Sequence, residues 1–236
     1  MYGQQSGAAG LENLDCSLAG NPEHPISVDG RHYTWSMLNY YINYAYCCRH
    51  VKFERIQTVV ELGSGAGRQA EVLKKLHPEL TLYLFDLAPS LYICYQYLST
   101  VFSDAVASYQ ETRGLTTLPN PDGRIYILGN WQYPLLTRPF DFFWNANSFQ
   151  EMEPDVVRHY LSFVNKQASM AYLRERMEGK ELAAGPGQHG VLKKTTLEDY
   201  RAGLPEFKLL DMSPAPYALR PPSGYHNSIW ERSGAD

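Results

Sequence analysis

The pattern of apolar and polar positions predicts buried strands that alternate with helices along most of the chain. The run from Thr58 to Leu62 is rich in β-branched and apolar residues, which is typical of a strand buried on both faces. A helical pattern follows from Ala66 to His77, and Pro78 ends it. Strands and helices in such alternation favour a parallel sheet with helices packed on it.

The same pattern extends the alternation towards both ends of the chain. It predicts further strands over residues 81–85, 124–128, 139–145, 168–173, 207–212 and 227–231, which gives seven strands with the first. It predicts helices over residues 33–53, 89–102, 153–164 and 196–202. The helix over 33–53 is dense in aromatic residues, and it either closes over a ligand cleft or only packs on the sheet.

The first 30 residues differ from the rest of the chain. Residues 1–10 are small and polar, with neither the basic region nor the apolar core of a secretory signal. Residues 11–30 carry prolines and glycines and are predicted as a loop. We therefore expect a flexible segment over residues 1–30 and a single domain over residues 31–236, which includes the aromatic helix.

Composition narrows the class of protein. The chain has 236 residues, of which 44% are hydrophobic, and this is enough for a full core. A net charge of -4 provides no basic surface for nucleic acid, and no apolar run approaches the length of a membrane span. Cys16, Cys47, Cys48 and Cys94 form no Cys-x-x-Cys pair, so we expect a reduced, cytoplasmic protein without a structural zinc site.

The turn after the first strand is the clearest candidate for a ligand site. Gly63, Gly65 and Gly67 would let the backbone turn sharply and let a ligand approach, with the amides of the next helix directed at it. The spacing is Gly-x-Gly-x-Gly, whereas a dinucleotide fingerprint has Gly-x-Gly-x-x-Gly. Glu61 would also repel a pyrophosphate, and it suits a ligand with an ammonium and a sulfonium. An NAD-dependent oxidoreductase is therefore disfavoured, and a turn that only packs helix on strand stays open.

A second acid follows at the end of the next strand. Asp86 lies about 25 residues after Glu61, where a carboxylate can accept hydrogen bonds from both hydroxyls of a ribose. Acid, Gly-x-Gly-x-Gly, helix, strand and acid in this order resemble the pattern of class I methyltransferases that use S-adenosylmethionine. Within that class the chain resembles the sugar O-methyltransferases over roughly residues 33–232. The resemblance is carried by residues 61–68, 85–89, 130–131, 145–152 and 225–232.

The resemblance implies a fold, a cofactor and an activity. The fold is α/β, a Rossmann-like, seven-stranded, mostly parallel sheet with helices on both faces and an antiparallel last strand. The cofactor is S-adenosylmethionine, which leaves as S-adenosylhomocysteine. The activity is O-methylation of a sugar or a glycosylated small metabolite in a biosynthetic pathway.

The expected cofactor residues lie in the motifs. Glu61 would bind the methionine ammonium, Asp86 the ribose, and Leu87 the adenine, whose edge and face would meet Asn130 and Trp131. The remaining assignments are Gly63, Ser64, Gly65 and Gly67 to the methionine and ribose, and Asn145 and Ala146 to the ammonium or methyl end.

The general base is left open among three residues. Glu151 follows the fourth strand of the predicted sheet, His189 lies in a charged, Gly-rich segment over residues 174–195, and His226 precedes the last strand. That segment is either a lid over the site or solvated surface. No metal-binding cluster is predicted.

Other activities remain compatible with the sequence. The methylated atom can instead be a nitrogen or a carboxylate of a natural-product intermediate. The protein can also bind the cofactor without transferring a methyl group. The expected partner is a small-molecule acceptor, with no nucleic acid and no membrane, and the oligomeric state, including a homodimer, stays open.

Overall fold

The computed structural model describes residue 3, residues 6–216 and residues 224–234. Its strands are β1 (Ile26–Val28), β2 (Arg31–Tyr33), β3 (Thr58–Leu62), β4 (Thr81–Asp86), β5 (Ile125–Gly129), β6 (Phe140–Ala146), β7 (Ala168–Arg176), β8 (Phe207–Pro214) and β9 (Tyr225–Arg232). Its α-helices are α1 (Trp35–Cys47), α2 (Arg68–Leu76), α3 (Ala88–Val101), α4 (Tyr109–Thr112), α5 (Pro154–Gln167) and α6 (Leu197–Gly203). Short 3-10 turns cover Leu11–Asn13, Phe53–Arg55, Asn130–Leu135 and Phe149–Glu151.

Seven of the strands form one sheet in the order β5-β4-β3-β6-β7-β9-β8. Strands β3 to β7 pair in parallel, and β9 is antiparallel to both of its neighbours. This confirms the predicted seven-stranded, mostly parallel sheet with an antiparallel last strand. The chain winds outwards in opposite directions from β3 and β6, and ligands of such sheets bind outside the carboxyl ends at this point.

Helices cover both faces of the sheet, as predicted. Val59 and Val60 are adjacent in β3 and are buried in two different clusters of the core, because successive side chains of a strand point to opposite faces. The first cluster holds side chains of α1, α2 and α3, and the second holds side chains of α5 and α6. Among the described residues, no helix combines the length and the apolar character that crossing a membrane requires.

The start of the domain differs from the prediction. The helix predicted over residues 33–53 begins only at Trp35, after the Thr34 side chain accepts a hydrogen bond from the Met37 amide at 3.2 Å, and it ends at Cys47. The predicted loop over residues 11–30 contains β1, which pairs with β2 through a hairpin. Asp29 and Gly30 both have positive φ, 50° and 78°, as the two central residues of a type I′ turn require.

Part of the N-terminal segment packs against the domain. Leu14 and Cys16 are buried in the first core cluster, and the Ser17 amide donates to Glu71 Oε1 at 2.8 Å. The flexibility expected over residues 1–30 stays a prediction, and residues 1, 2, 4 and 5 lie outside the described residues. All four cysteines are free thiols.

Candidate functional site

The carboxyl ends of β3, β4 and β6 border a cavity of about 420 Å³, which we call the main cavity. It lies at the reversal of strand order, where the fold predicts a ligand, and its volume is in the range of small-molecule sites. It is lined by Leu62, Gly63, Asp86, Leu87, Asn130, Ala146, Asn147, Ser148, Glu151, Met152, Val156 and Tyr160.

The glycine turn packs directly against the loop after β6. All three glycines have positive φ, 81° at Gly63, 53° at Gly65 and 77° at Gly67. A Cβ at Gly63 would lie 2.4 Å from Cβ and Oγ of Ser148. Only glycine therefore allows this approach, which brings the ends of β3 and β6 together at the main cavity.

Asp86 connects the end of β4 to the glycine turn after β3. Its Oδ2 accepts a hydrogen bond from the Gly65 amide at 2.7 Å, and its Oδ1 accepts one from the Leu87 amide at 2.6 Å. The Gly63 amide donates to the carbonyl of Phe85, the residue before Asp86, at 2.8 Å. The carboxylate is therefore held on the wall of the main cavity, beside the glycine turn.

Glu61 lies behind the turn and is 5% exposed. Burial raises the pKa of its carboxyl to about 8, and the nearby charge of Asp86 adds to the increase. Its Oε2 and the Oγ of Ser64 have no hydrogen-bond partner among the described residues. Buried polar atoms without partners are rare, and a ligand cation beside the turn would supply one for Glu61.

Asn145 and Ala146, the two cofactor residues predicted in this region, are the last residues of β6; Ala146 lines the main cavity and Asn145 does not. The Asn145 side chain is fully buried, and its Nδ2 donates to the Leu62 carbonyl at 2.9 Å. Its Oδ1 accepts a hydrogen bond from the Phe149 amide at 3.1 Å. The side chain thus fixes the loop after β6 to β3.

Asn130 and Trp131, predicted to meet the edge and the face of the adenine, line different cavities. Asn130 lines the main cavity, and its Nδ2 donates to the Tyr160 hydroxyl at 3.4 Å. Trp131 is 63% exposed and lines a second cavity of about 410 Å³, together with Leu91 and Tyr95 of α3. The structure therefore does not bring the Trp131 ring to the main cavity.

The three candidates for the general base are also separated. Glu151 lines the main cavity and forms an ion pair with Lys180. His189 is exposed and lines none of the cavities described here. His226 lies in β9 opposite Glu175 of the neighbouring strand β7. Its Nδ1 is buried without a hydrogen-bond partner among the described residues.

The segment predicted as a loop over residues 174–195 begins within a strand, because β7 continues to Arg176. Its later part is hydrogen-bonded to Met152, which lines the main cavity, and to the next residue, Glu153. The amides of Leu192 and Lys193 donate to the carboxylate of Glu153 at 2.9 Å and 2.8 Å. The Thr195 hydroxyl donates to the Met152 carbonyl at 2.8 Å.

Glu175 is a site residue that the sequence did not indicate. It is fully buried in β7, and its two oxygens accept hydrogen bonds from the amides of Ser148 at 3.2 Å and Gln150 at 3.1 Å. Burial raises its pKa to about 8, although these amides and the charge of Arg174 favour the ionised form. Glu175 therefore holds the loop after β6, which forms one wall of the main cavity, in place.

Similar folds occur among solved structures. The chain matches no protein-family model and no curated protein. It is similar to magnesium protoporphyrin IX methyltransferase from Synechocystis PCC 6803 with bound SAH, with 12% identity and a TM-score of 0.57 over 84% of each chain. It is also similar to the pyocyanin biosynthetic protein PhzM, with 12% identity and a TM-score of 0.55 over 84% of this chain and 55% of that one.

A third similar structure is the mitomycin 7-O-methyltransferase MmcR, with 14% identity and a TM-score of 0.53 over 85% of this chain and 61% of that one. The chain thus spans 55% of the length of PhzM and 61% of that of MmcR. At these identities the similarity concerns the fold. The chain has the Rossmann-like fold of these methyltransferases.

Proposed function

We propose that the protein is a methyltransferase that binds S-adenosylmethionine and methylates an oxygen of a small-molecule acceptor, with S-adenosylhomocysteine as the second product. The observation that carries this proposal is the buried Glu61 carboxyl group, which lies two residues before the first glycine of the turn and whose Oε2 has no partner within the described residues. A ligand cation beside this carboxyl would lower its raised pKa and stabilise the ionised form, whereas the pyrophosphate of a dinucleotide would be repelled by that form.

Residues that line the main cavity, together with Glu61 behind the glycine turn, fit this cofactor. Glu61 would bind the methionine ammonium, and Asp86 would accept hydrogen bonds from the ribose hydroxyls. Leu87 is 61% exposed and offers an apolar surface to the adenine, whose edge would meet Asn130. A Cβ at Gly65 would meet no atom within 4 Å, so a ligand can approach the backbone of the turn closely at this residue.

In this account the bound cofactor supplies an activated methyl group. The chain's own residues must orient the acceptor and remove the proton of its hydroxyl. Glu151 is the predicted base that lines the main cavity, and its ion pair with Lys180 fixes its position. Ala146 and Asn147 line the same cavity and would contact the acceptor.

The structures with a similar fold support a small-molecule acceptor. One is named for methylation of mitomycin at oxygen 7, and another, NcsB1, is a complex with S-adenosylhomocysteine and 1,4-dihydroxy-2-naphthoic acid. The narrower proposal of a sugar or a glycosylated metabolite rests on the sequence resemblance alone.

The test is transfer of a labelled methyl group. The protein is incubated with methyl-labelled S-adenosylmethionine and pools of nucleotide sugars, glycosylated metabolites and hydroxylated aromatic acids. We expect an extractable labelled product whose methyl group resists mild alkali, as an ether does and an ester does not. Release of labelled methanol in alkali would instead identify a carboxyl-methylating enzyme. Binding of the cofactor with no transfer to any pool would contradict the enzymatic proposal.

A further inference from the structure

A small polar pocket of about 170 Å³ lies between α1 and the loop after β6. It has Asn147 in common with the main cavity, so the two spaces are neighbours on either side of one residue. The polar pocket is lined by Ser36, Asn39, Tyr40, Asn43, Asn147, Arg174 and Pro216.

Four of these residues form a polar stripe on α1. Ser36, Asn39, Tyr40 and Asn43 are three or four positions apart, so they share one face of the helix. At the inner end of this stripe, the Asn43 side chain is only 6% exposed. The stripe is therefore more than the solvated side of an amphipathic helix, because it runs into the protein towards the end of β6.

Arg174 forms the opposite wall of the polar pocket. It is 4% exposed, its guanidinium donates to Asn147 Oδ1, and its centre lies 4.8 Å from the centre of the Tyr225 ring. These two contacts fix the direction of the guanidinium. Its neighbour Glu175 points to the other face of the sheet, where backbone amides bind its carboxylate.

This set of groups matches a small oxyanion. A guanidinium carries five N–H donors in a planar fork, which suits the paired oxygens of a carboxylate or a phosphate. Asn39 and Asn43 add amide donors, and Ser36 and Tyr40 add hydroxyls. About 170 Å³ holds one such group with a few attached atoms, since one water occupies ~30 Å³, so the rest of a larger ligand would extend into the main cavity.

We propose that the polar pocket binds a carboxylate or phosphate group of the methyl acceptor, with Arg174 as its cation. This rests on the proposed function, and it defines the substrate class as an anionic small molecule whose hydroxyl reaches past Asn147 into the main cavity. The oxyanion is bound and takes no part in the transfer itself.

The test compares ligands that differ in charge. Two series of probes are titrated into protein saturated with S-adenosylhomocysteine. The first series contains glucose, glucuronate and glucose 6-phosphate. The second contains benzyl alcohol, benzoate and phenyl phosphate. We expect an anionic probe to bind at least tenfold more tightly than the neutral probe of its series. Whether the carboxylate or the phosphate binds more tightly distinguishes the two sources of the oxyanion.

Variants connect this preference to the pocket. Arg174→Gln should abolish the preference, and Arg201→Gln on α6, whose side chain is 51% exposed, serves as the matched control. Asn39→Leu, at a half-buried position of the pocket wall, should weaken the anionic probes and gives a second test if Arg174→Gln does not fold.

Equal binding of neutral and anionic probes would overturn the proposal, and so would an unchanged preference in a folded pocket variant. If the folded wild-type protein does not bind S-adenosylhomocysteine, the proposed function fails, and the same titrations without it decide on the polar pocket alone.

Discussion

The carboxylate of Asp86 accepts a hydrogen bond from the backbone amide of Gly65 at 2.7 Å. The contact joins the end of β4 to the turn after β3, so Gly63 of the turn and Asp86 line one cavity. A ribose bound at this carboxylate would lie within reach of the glycine turn.

The buried Glu61 carboxyl makes stability depend on pH. Its pKa rises from 4.5 to about 8 on folding, so between these values the folded protein holds a proton that the unfolded chain loses. The stability that this proton gives is fully present below about pH 4.5 and is lost as the pH approaches 8. Glu61→Gln should therefore flatten the decrease in the free energy of unfolding between pH 5 and pH 8.5, by on the order of a few kcal/mol.

Chemical unfolding of the wild type and of Glu61→Gln at about pH 5 and about pH 8.5 measures this effect. The same variant should bind S-adenosylhomocysteine at least tenfold more weakly, because the partner of the ammonium is lost. An identical pH dependence in the two proteins would show that Glu61 does not titrate as its burial requires.

Two glycines of the turn should differ in their tolerance of a side chain. Gly63→Ala combines a positive φ with a Cβ only 2.4 Å from Ser148, so we expect a loss of about 2–4 kcal/mol in the free energy of unfolding. Gly65→Ala meets no atom within 4 Å and should lose only the ~1–2 kcal/mol due to its positive φ. Urea unfolding compares them, and equal losses would contradict the close approach of Ser148.

Glu175 should hold the loop after β6 in place. Gln at this position keeps one acceptor oxygen and directs an NH₂ group at the second backbone amide, so one of the bonds to Ser148 and Gln150 is lost. We expect the amides of residues 148–150 to exchange hydrogen at least tenfold faster in Glu175→Gln. The exposed Glu178→Gln is the matched control. Unchanged exchange in Glu175→Gln would remove Glu175 as the support of this loop.

Of the predicted bases, Glu151 is the one at the main cavity. With the first acceptor found by methyl transfer, Glu151→Gln should lower kcat by about 10²–10⁴, the usual contribution of a positioned base. His189→Ala should leave kcat within twofold, because His189 is exposed and away from the cavity. The opposite order of effects would assign the proton transfer to the Gly-rich segment instead.

The sequence predicted the features that depend on local pattern. The strands and the glycine turn follow from short runs of residues, and the structure contains them within a few positions of their predicted ends. The hairpin at Asp29 and Gly30 was missed although Asp-Gly is a known signal for its turn. The flanking strands β1 and β2 have only three residues each and little hydrophobic alternation, so the pattern around the turn does not indicate a hairpin.

Other features depend on pairing between distant strands or on the direction of one side chain. Glu175 stands between two arginines and looks like solvated surface until β7 and β9 bury it beneath the loop after β6. Trp131 follows the correct strand, yet its ring folds over Gly129, where a Cβ would lie 2.4 Å from it. Neither outcome is encoded in spacing along the chain.

The most direct test of the account is calorimetric titration of the protein with S-adenosylhomocysteine and with NAD. We predict micromolar binding of the first and none of the second. Asp86→Ala should bind S-adenosylhomocysteine about 10–100-fold more weakly through the loss of charge-assisted hydrogen bonds, and Asp104→Ala, at an exposed position after α3, should match the wild type. Folded wild-type protein that binds no S-adenosylhomocysteine, or that binds NAD instead, would contradict the account.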